Sequence, residues 1–124
     1  MAWKILIVDD EPNIVTSLEF LMRKCGYDVR VATNGDEALR VVENFRPNVV
    51  LLDVMMPRKN GFEVCRKIRE NPDLQRVRIV MLSARGRDVE IDKGLALGAD
   101  AYVTKPFSTR ELLAQVRQLL PEAR

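Results

Sequence analysis

The chain contains no histidine. That absence removes histidine general bases, Ser-His-Asp triads and histidine-ligated zinc. Cysteine is scarce too. Cys25 and Cys65 stand far apart, and two separated thiols cannot build a structural zinc site. Both fall on apolar faces of predicted helices. With no secretion signal ahead of them, they read as reduced, buried thiols of a cytoplasmic protein. No apolar run approaches the roughly 20 residues of a membrane span, so no membrane association is expected. The N-terminus offers one lysine and then a short strand, unlike a signal peptide. A net charge of +2 is too small to argue for a nucleic-acid surface. Any chemistry must therefore use carboxylate, lysine, hydroxyl or backbone groups.

What is present is organised around Val49-Val50-Leu51-Leu52-Asp53-Val54-Met55-Met56-Pro57. An aliphatic run rich in Val suits a strand buried on both faces, as in a parallel sheet. Asp53 stands where that strand stops. In open α/β sheets the ligand crevice lies outside the carboxyl ends of the strands.

The 124 residues make one domain, near the modal size, with no repeat, low-complexity tract or linker. Lys4–Val8 reads as a buried strand that runs into Asp9-Asp10-Glu11. Pro12 opens a helix with Ile14, Val15, Leu18, Leu21, Met22 and Cys25 on its inner face, stopped by Gly26. Residues 28–32 alternate polar and apolar, as an edge strand does. Asn34-Gly35 reads as a turn before a second helix. After Asp53, the pair Asn60-Gly61 reads as a turn before a third helix. Ile79–Leu82 is the next buried strand, ending in Ser83-Ala84. A fourth helix, about Asp88 to Leu97, is poorly patterned, and Gly94 inside it costs up to about 1 kcal/mol relative to Ala. It is expected to be the least stable and most mobile element. Ala101–Thr104 is a short strand followed by Lys105-Pro106-Phe107. Ser108-Thr109-Arg110-Glu111 matches a capping box and opens a last helix ended by Pro121.

This is a (βα)5 pattern, which implies a doubly wound parallel sheet with right-handed crossovers. Strands one, three and four read as central, two and five as edges. The order that satisfies this is 2-1-3-4-5, the flavodoxin-like arrangement. It brings Asp9, Asp10 and Asp53 together, with Ser83 and Lys105 at neighbouring strand ends.

Taken singly, these residues are ordinary: an acid at a strand end, a helix-capping acid, a turn lysine. Together they need an explanation. At an effective dielectric near 20, two like charges about 4 Å apart repel by roughly 4 kcal/mol. All-oxygen ligands point to a hard cation, Mg2+ first and Mn2+ second. A phosphoryl group entering this site would meet a metal, an ammonium, a hydroxyl and loop N–H groups, the parts that stabilise transferring oxygens. A carboxylate can act as nucleophile and become an aspartyl phosphate.

On these motifs the chain resembles the receiver (CheY-like) domain of two-component response regulators over nearly its whole length. The motifs are Asp9-Asp10, Asp53 within Leu-Leu-Asp-Val-Met-Met-Pro, Ser83-Ala84, and Lys105-Pro106-Phe107. The resemblance implies a signalling domain rather than an enzyme. Its only catalysis would be its own phosphorylation and slow autodephosphorylation. Asp53 would be the phosphoacceptor. Asp10, Asp53 and the Met55 backbone carbonyl would ligate Mg2+, with Asp9 acting largely through water. Lys105 would pair with the phosphoryl group, Ser83 would hydrogen-bond it, and Ala84 would keep the entrance open. Tyr102 matches the switch aromatic. The Lys105–Pro106 bond is expected to be cis.

Without a histidine, the chain cannot be its own phosphohistidine donor. The expected partner is a histidine kinase or a histidine phosphotransfer protein. Met55 and Arg85 flank the expected approach of water. Met55 cannot orient a water, so the phosphoryl group should be lost over minutes or longer. The expected output face is helix four, strand five and helix five. Asp100, Glu111 and Arg117 offer part of the ion-pair set of a symmetric homodimer. Ile91, Ala101 and Gln115 depart from that set, and Ile91 suits an apolar contact instead.

Residues 1–124 are expected to form a single receiver domain. Either an output domain follows Arg124 or the receiver stands alone and binds a partner. Nucleic acid would be reached only through such an output domain. Two alternatives outside phosphotransfer are a phosphate-independent receiver-like interaction module and a flavin binder on the same fold. The latter would want phosphate-binding residues where this chain has Asp9-Asp10-Glu11.

Overall fold

Val49–Asp53 is buried at every position. A strand satisfies that only between two neighbouring strands and two layers of helix. A computed structural model, describing residues 2–56, 60–84 and 88–120, has that arrangement. The side chains of residues 88 and 89 fall outside the description. In chain order the elements are β1 (Lys4–Val8), α1 (Pro12–Lys24), β2 (Asp28–Ala32), α2 (Gly35–Phe45), β3 (Val49–Asp53), α3 (Gly61–Glu70), β4 (Arg78–Ser83), α4 (Asp88–Ala96), β5 (Ala101–Thr104) and α5 (Thr109–Leu119). A single 3-10 turn, Pro72–Leu74, follows α3.

The sheet is fully parallel in the order β2-β1-β3-β4-β5, the order expected from the sequence. Alternate strand residues feed two cores. Ile5, Ile7, Leu51, Val80 and Leu82 face α1 and α5 through Leu18, Met22, Leu112 and Val116. Leu6, Val8, Val50, Leu52, Ile79 and Met81 face α2 and α3 through Ala38, Val42, Val64, Cys65 and Ile68. Because both faces are covered, the polar ends of the strands are where a site can form.

Two Asn-Gly pairs that read as turns are helix starts. The Asn34 side chain accepts the Glu37 N–H at 2.9 Å and caps α2. Asn60 does the same for the Glu63 N–H at 3.0 Å and caps α3. Both are N-caps, a role that suits Asn as well as a turn does. The acids after β1 give α1 no side-chain cap. Glu11 is the N-cap of α1 and its side chain makes no capping bond. At the far end of α1, Gly26 N–H bonds the Arg23 carbonyl and Tyr27 N–H the Met22 carbonyl, the paired closure that suits a glycine stop. Helix α2 ends differently, on Arg46 at φ 53°. Arg46 Nε donates to the Glu43 carbonyl at 3.0 Å and Nη1 to the Asp73 carbonyl at 3.2 Å, which holds that conformation.

Gly94 has a use beyond its propensity cost. A Cβ there would lie 2.8 Å from Met81 Sδ and 3.4 Å from Tyr102 Cδ2. Its bare Cα lets α4 settle onto β4 and the Tyr102 ring. Cys65 is fully buried and Cys25 partly so, and both are free thiols. Burial pushes the Cys65 thiol up to about 11, which keeps it protonated and inert. Among the described residues, no helix is long and apolar enough to cross a membrane.

Candidate functional site

The parallel register carries β1, β3 and β4 to the same edge. Val8 pairs with Leu52 and Asp53 with Leu82. The residue after β1 is Asp9, whose N–H donates to the Ala32 carbonyl at 3.1 Å, continuing the sheet by one bond. Asp9 and Asp53 are both buried, and Asp10 is exposed. Carboxylate oxygens of Asp9, Asp10 and Asp53 all lie within 4.8 Å of one another. The strand order thus brings together the three acids that the sequence singled out.

Lys105 arrives from the end of β5, and its N–H donates to the Ser83 carbonyl at 2.7 Å, tying the ends of β4 and β5 together. Its ammonium reaches Asp9 Oδ2 at 3.0 Å and Asp53 Oδ1 at 3.4 Å. The bond that follows, Lys105–Pro106, is cis, as the resemblance implies. Asp9 is also held by the Glu11 N–H, which donates to its Oδ1 at 2.9 Å. One cation therefore serves two buried carboxylates while a third stands beside them.

The electrostatics follow from that shortage. Burial, then the charge of Asp9, pushes the Asp53 carboxyl up to about 6. The Lys105 charge and hydrogen bond and the Met55 N–H pull against this and lose. Burial also works against the Lys105 ammonium. Its hydrogen bond to Asp9 and the charges of Asp53 and Asp9 outweigh that, so its pKa stays above the ordinary lysine value. Asp53 is thus a carboxylate short of positive charge. Among the described residues, three carboxylates and one ammonium leave two negative charges, which one divalent cation balances. The donors are all oxygen, as Mg2+ prefers.

Ser83 is buried at the end of β4, and Ala84 is exposed beside it. Tyr102 pairs with Met81 across the strands, and its half-buried ring lies against α4. Met55 is 58% exposed at the rim. Arg85 and Pro57 lie outside the described residues, as does Pro121. Sequence reasoning missed three contributors. The Met55 N–H bonds the Asp53 carboxylate, the Glu11 N–H bonds Asp9, and Gly61 packs directly on the Asp53 backbone. The first two are backbone groups and leave no residue-type signal. Gly61 did leave one, a glycine at the first turn of a helix, and it read as a turn.

On the proposed output face, Asp100 is turned inward. It accepts Arg69 Nη2 and the Ile79 N–H, each at 2.8 Å. Of the acids and bases that the sequence offered for a symmetric dimer, Glu111 and Arg117 remain exposed.

Comparison with known proteins agrees with this fold. The model of the response regulator receiver domain matches residues 5–117. A response regulator structure from Chloroflexus aurantiacus is 34% identical, with a TM-score of 0.91, over 96% of this chain and 98% of that one. The chemotaxis protein CheY4 of Vibrio cholerae is 31% identical, with a TM-score of 0.91, over 97% and 100%. The BeF3-activated N-terminal receiver domain of Klebsiella pneumoniae RstA is 34% identical, with a TM-score of 0.89, over 96% and 99%. Fold and match length agree, and the chain belongs to the family of response regulator receiver domains of two-component signalling.

Proposed function

We propose that Asp53 accepts a phosphoryl group from a histidine kinase or histidine phosphotransfer protein, and that this switches the domain between two conformations. The observation that carries the reading is the shared Lys105, bonded to Asp9 and Asp53 while Asp53 remains short of positive charge. An oxygen of Asp53 attacks the phosphorus. The new P–O bond forms as the P–N bond to the donor imidazole breaks, and the electron pair leaves with that nitrogen. Asp9, Asp10, Asp53 and the Met55 carbonyl would hold Mg2+, with Mn2+ as a substitute. The cation supplies charge neutralisation for the transferring oxygens. Lys105 pairs with the arriving phosphoryl group and loses part of its hold on Asp53. Receiver domains bind Mg2+ at such an acidic pocket, and the RstA relative is described as BeF3-activated.

The switch would run through Ser83 and Tyr102. The Ser83 hydroxyl moves toward the phosphoryl oxygens, and the Tyr102 ring, now against α4, turns inward. The α4–β5–α5 face is then the output surface. Exposed Leu95 and half-buried Ile91 favour an apolar partner contact over a charged symmetric dimer. We propose that residues 1–124 form this one domain and act in the cytoplasm. The output is either a following domain, such as a transcription regulator, or a separate protein.

The test is intact mass after incubation with acetyl phosphate and Mg2+. The expected gain is one phosphoryl group, about 80 Da, absent in Asp53→Asn and in EDTA. With Met55 beside the site, the adduct should persist for minutes or longer. No gain from acetyl phosphate or from any kinase would leave a phosphate-independent interaction module. Trp3 is a poor reporter for the metal, because it precedes β1 at the opposite end of the sheet from Asp9.

A further inference from the structure

Gly61 opens α3, yet it packs on the peptide bond that follows Asp53. A Cβ built on it would lie 2.4 Å from the Asp53 carbonyl oxygen and 2.8 Å from Val54 Cα. The Gly61 φ is not in the left-handed region. The position therefore uses the missing Cβ, not conformational freedom.

The two peptides that flank Val54 are each held by a hydrogen bond. Val54 N–H donates to the Leu82 carbonyl of β4 at 3.0 Å, and Gly61 N–H donates to the Val54 carbonyl at 2.8 Å. The Asp53 side chain springs from this clamped unit, and the Met55 N–H that bonds its carboxylate lies one residue beyond. Nor can α3 slide away to make room. Asn60 caps it, and Val64, Cys65 and Ile68 bury its inner face.

We propose that Gly61 is a positioning residue for Asp53. By allowing α3 to press on the 53–54 peptide, it fixes the carboxylate relative to Lys105, Asp9 and the Met55 N–H. This rests on the reading of Asp53 as phosphoacceptor. An alanine at 61 must open the contact to ordinary carbon–oxygen separation, a displacement of about 1 Å. A misplacement of that size at a reacting group costs up to about 100-fold in rate.

Gly98 supplies the control. A Cβ there would lie 2.6 Å from Arg69 Cγ, at φ +109°, so it is also strained but belongs to the α4–β5 turn. Wild type, Gly61→Ala and Gly98→Ala are compared for phosphorylation by acetyl phosphate at saturating Mg2+. Rates are normalised to the folded fraction from circular dichroism. The expected result is a maximal rate about 10- to 100-fold lower for Gly61→Ala, with Gly98→Ala within about twofold of wild type. Folded Gly61→Ala at the wild-type rate overturns the proposal. So do equal losses in both variants, which would reflect general strain.

Should Gly61→Ala not fold, the wild type is titrated with Mg2+ and followed by 1H–15N spectra. The amide signals of Gly61 and Val54 should move with the same half-saturation as that of Met55. A stationary Gly61 signal beside a moving Met55 overturns the proposal. A wild type that takes neither Mg2+ nor phosphate overturns the phosphoacceptor reading first, and this proposal with it.

Discussion

Asp53 and Asp100 are both largely buried carboxylates, at opposite ends of the strands of one sheet, and their surroundings are opposite too. Asp100 has donors in excess. Arg69 Nη2 and the Ile79 N–H each reach it at 2.8 Å, and Arg78 Nη1 stands at 3.5 Å. A further donor, Arg69 Nη1, is buried with no partner among the described residues. Asp53 has a deficit: among the described residues it has the Met55 N–H and one ammonium, at 3.4 Å, that also serves Asp9. An acid with more donors than it needs is a structural fastening, here tying α3 and β4 to the turn before β5. An acid with too few is a place where charge is meant to arrive.

The largest expected effect tests the fastening. Asp100→Ala strands the Arg69 guanidinium and the Ile79 N–H. Removing one partner of a buried pair costs about 3–5 kcal/mol, and with each side chain about one-fifth exposed the lower end applies, about 3 kcal/mol. Urea unfolding at pH 7 measures it. A loss near zero would mean that water replaces the acid freely and that the two sites do not differ in kind.

The next effect has the opposite sign. The Asp53 carboxyl is raised from 3.8 to about 6 in the folded chain. Between those values the folded state holds the proton more tightly than the unfolded one. Stability therefore falls as pH rises through about 4 to 6, by on the order of 3 kcal/mol in all. Asp53→Asn removes that slope. Without divalent metal, the variant should match wild type near pH 4 and exceed it by about 2–3 kcal/mol at pH 8. Mg2+ should close part of the gap, adding about 1.4 kcal/mol to wild type at ten times its Kd and nothing to the variant. A variant less stable than wild type at pH 8 without metal would show that Lys105 already satisfies Asp53.

The contrast between the two acids was half legible in the sequence. The deficit could be read, because Asp9, Asp10, Asp53 and Lys105 each follow a recognisable strand, and strand order alone brings strand ends together. The central strands, the edges and the order followed from burial pattern in the same way. The excess could not be read. Arg69 lies 31 residues before Asp100 on an amphipathic helix where it looks like any solvated arginine. Only the packing of α3 against the α4–β5 turn shows where its guanidinium goes. For that reason Asp100 reads as a dimer residue in sequence and as an internal one in structure. The Asn-Gly pairs misled for a related reason, since turn and N-cap ask for the same side chain and differ only in what the next three residues do.

The smallest effect sharpens the comparison by asking which donors at Asp100 count. Arg78 adds a second cation, but at 3.5 Å and about half exposed. A pair of that kind is screened by water and gives up side-chain entropy to hold its geometry, so it contributes between zero and about 0.5 kcal/mol. Arg69 is less exposed, donates at 2.8 Å and also bonds the Gly98 carbonyl through Nε at 2.8 Å. Arg78→Ala should therefore leave the urea midpoint almost unmoved, while Arg69→Ala should cost most of what Asp100→Ala costs. Equal losses from the two arginine variants would mean that Asp100 responds to net charge and not to hydrogen-bond geometry. The difference from Asp53 would then be one of charge count alone, two cations against a shared one, and a lysine placed near Asp53 would be enough to turn the proposed phosphoacceptor into a fastening.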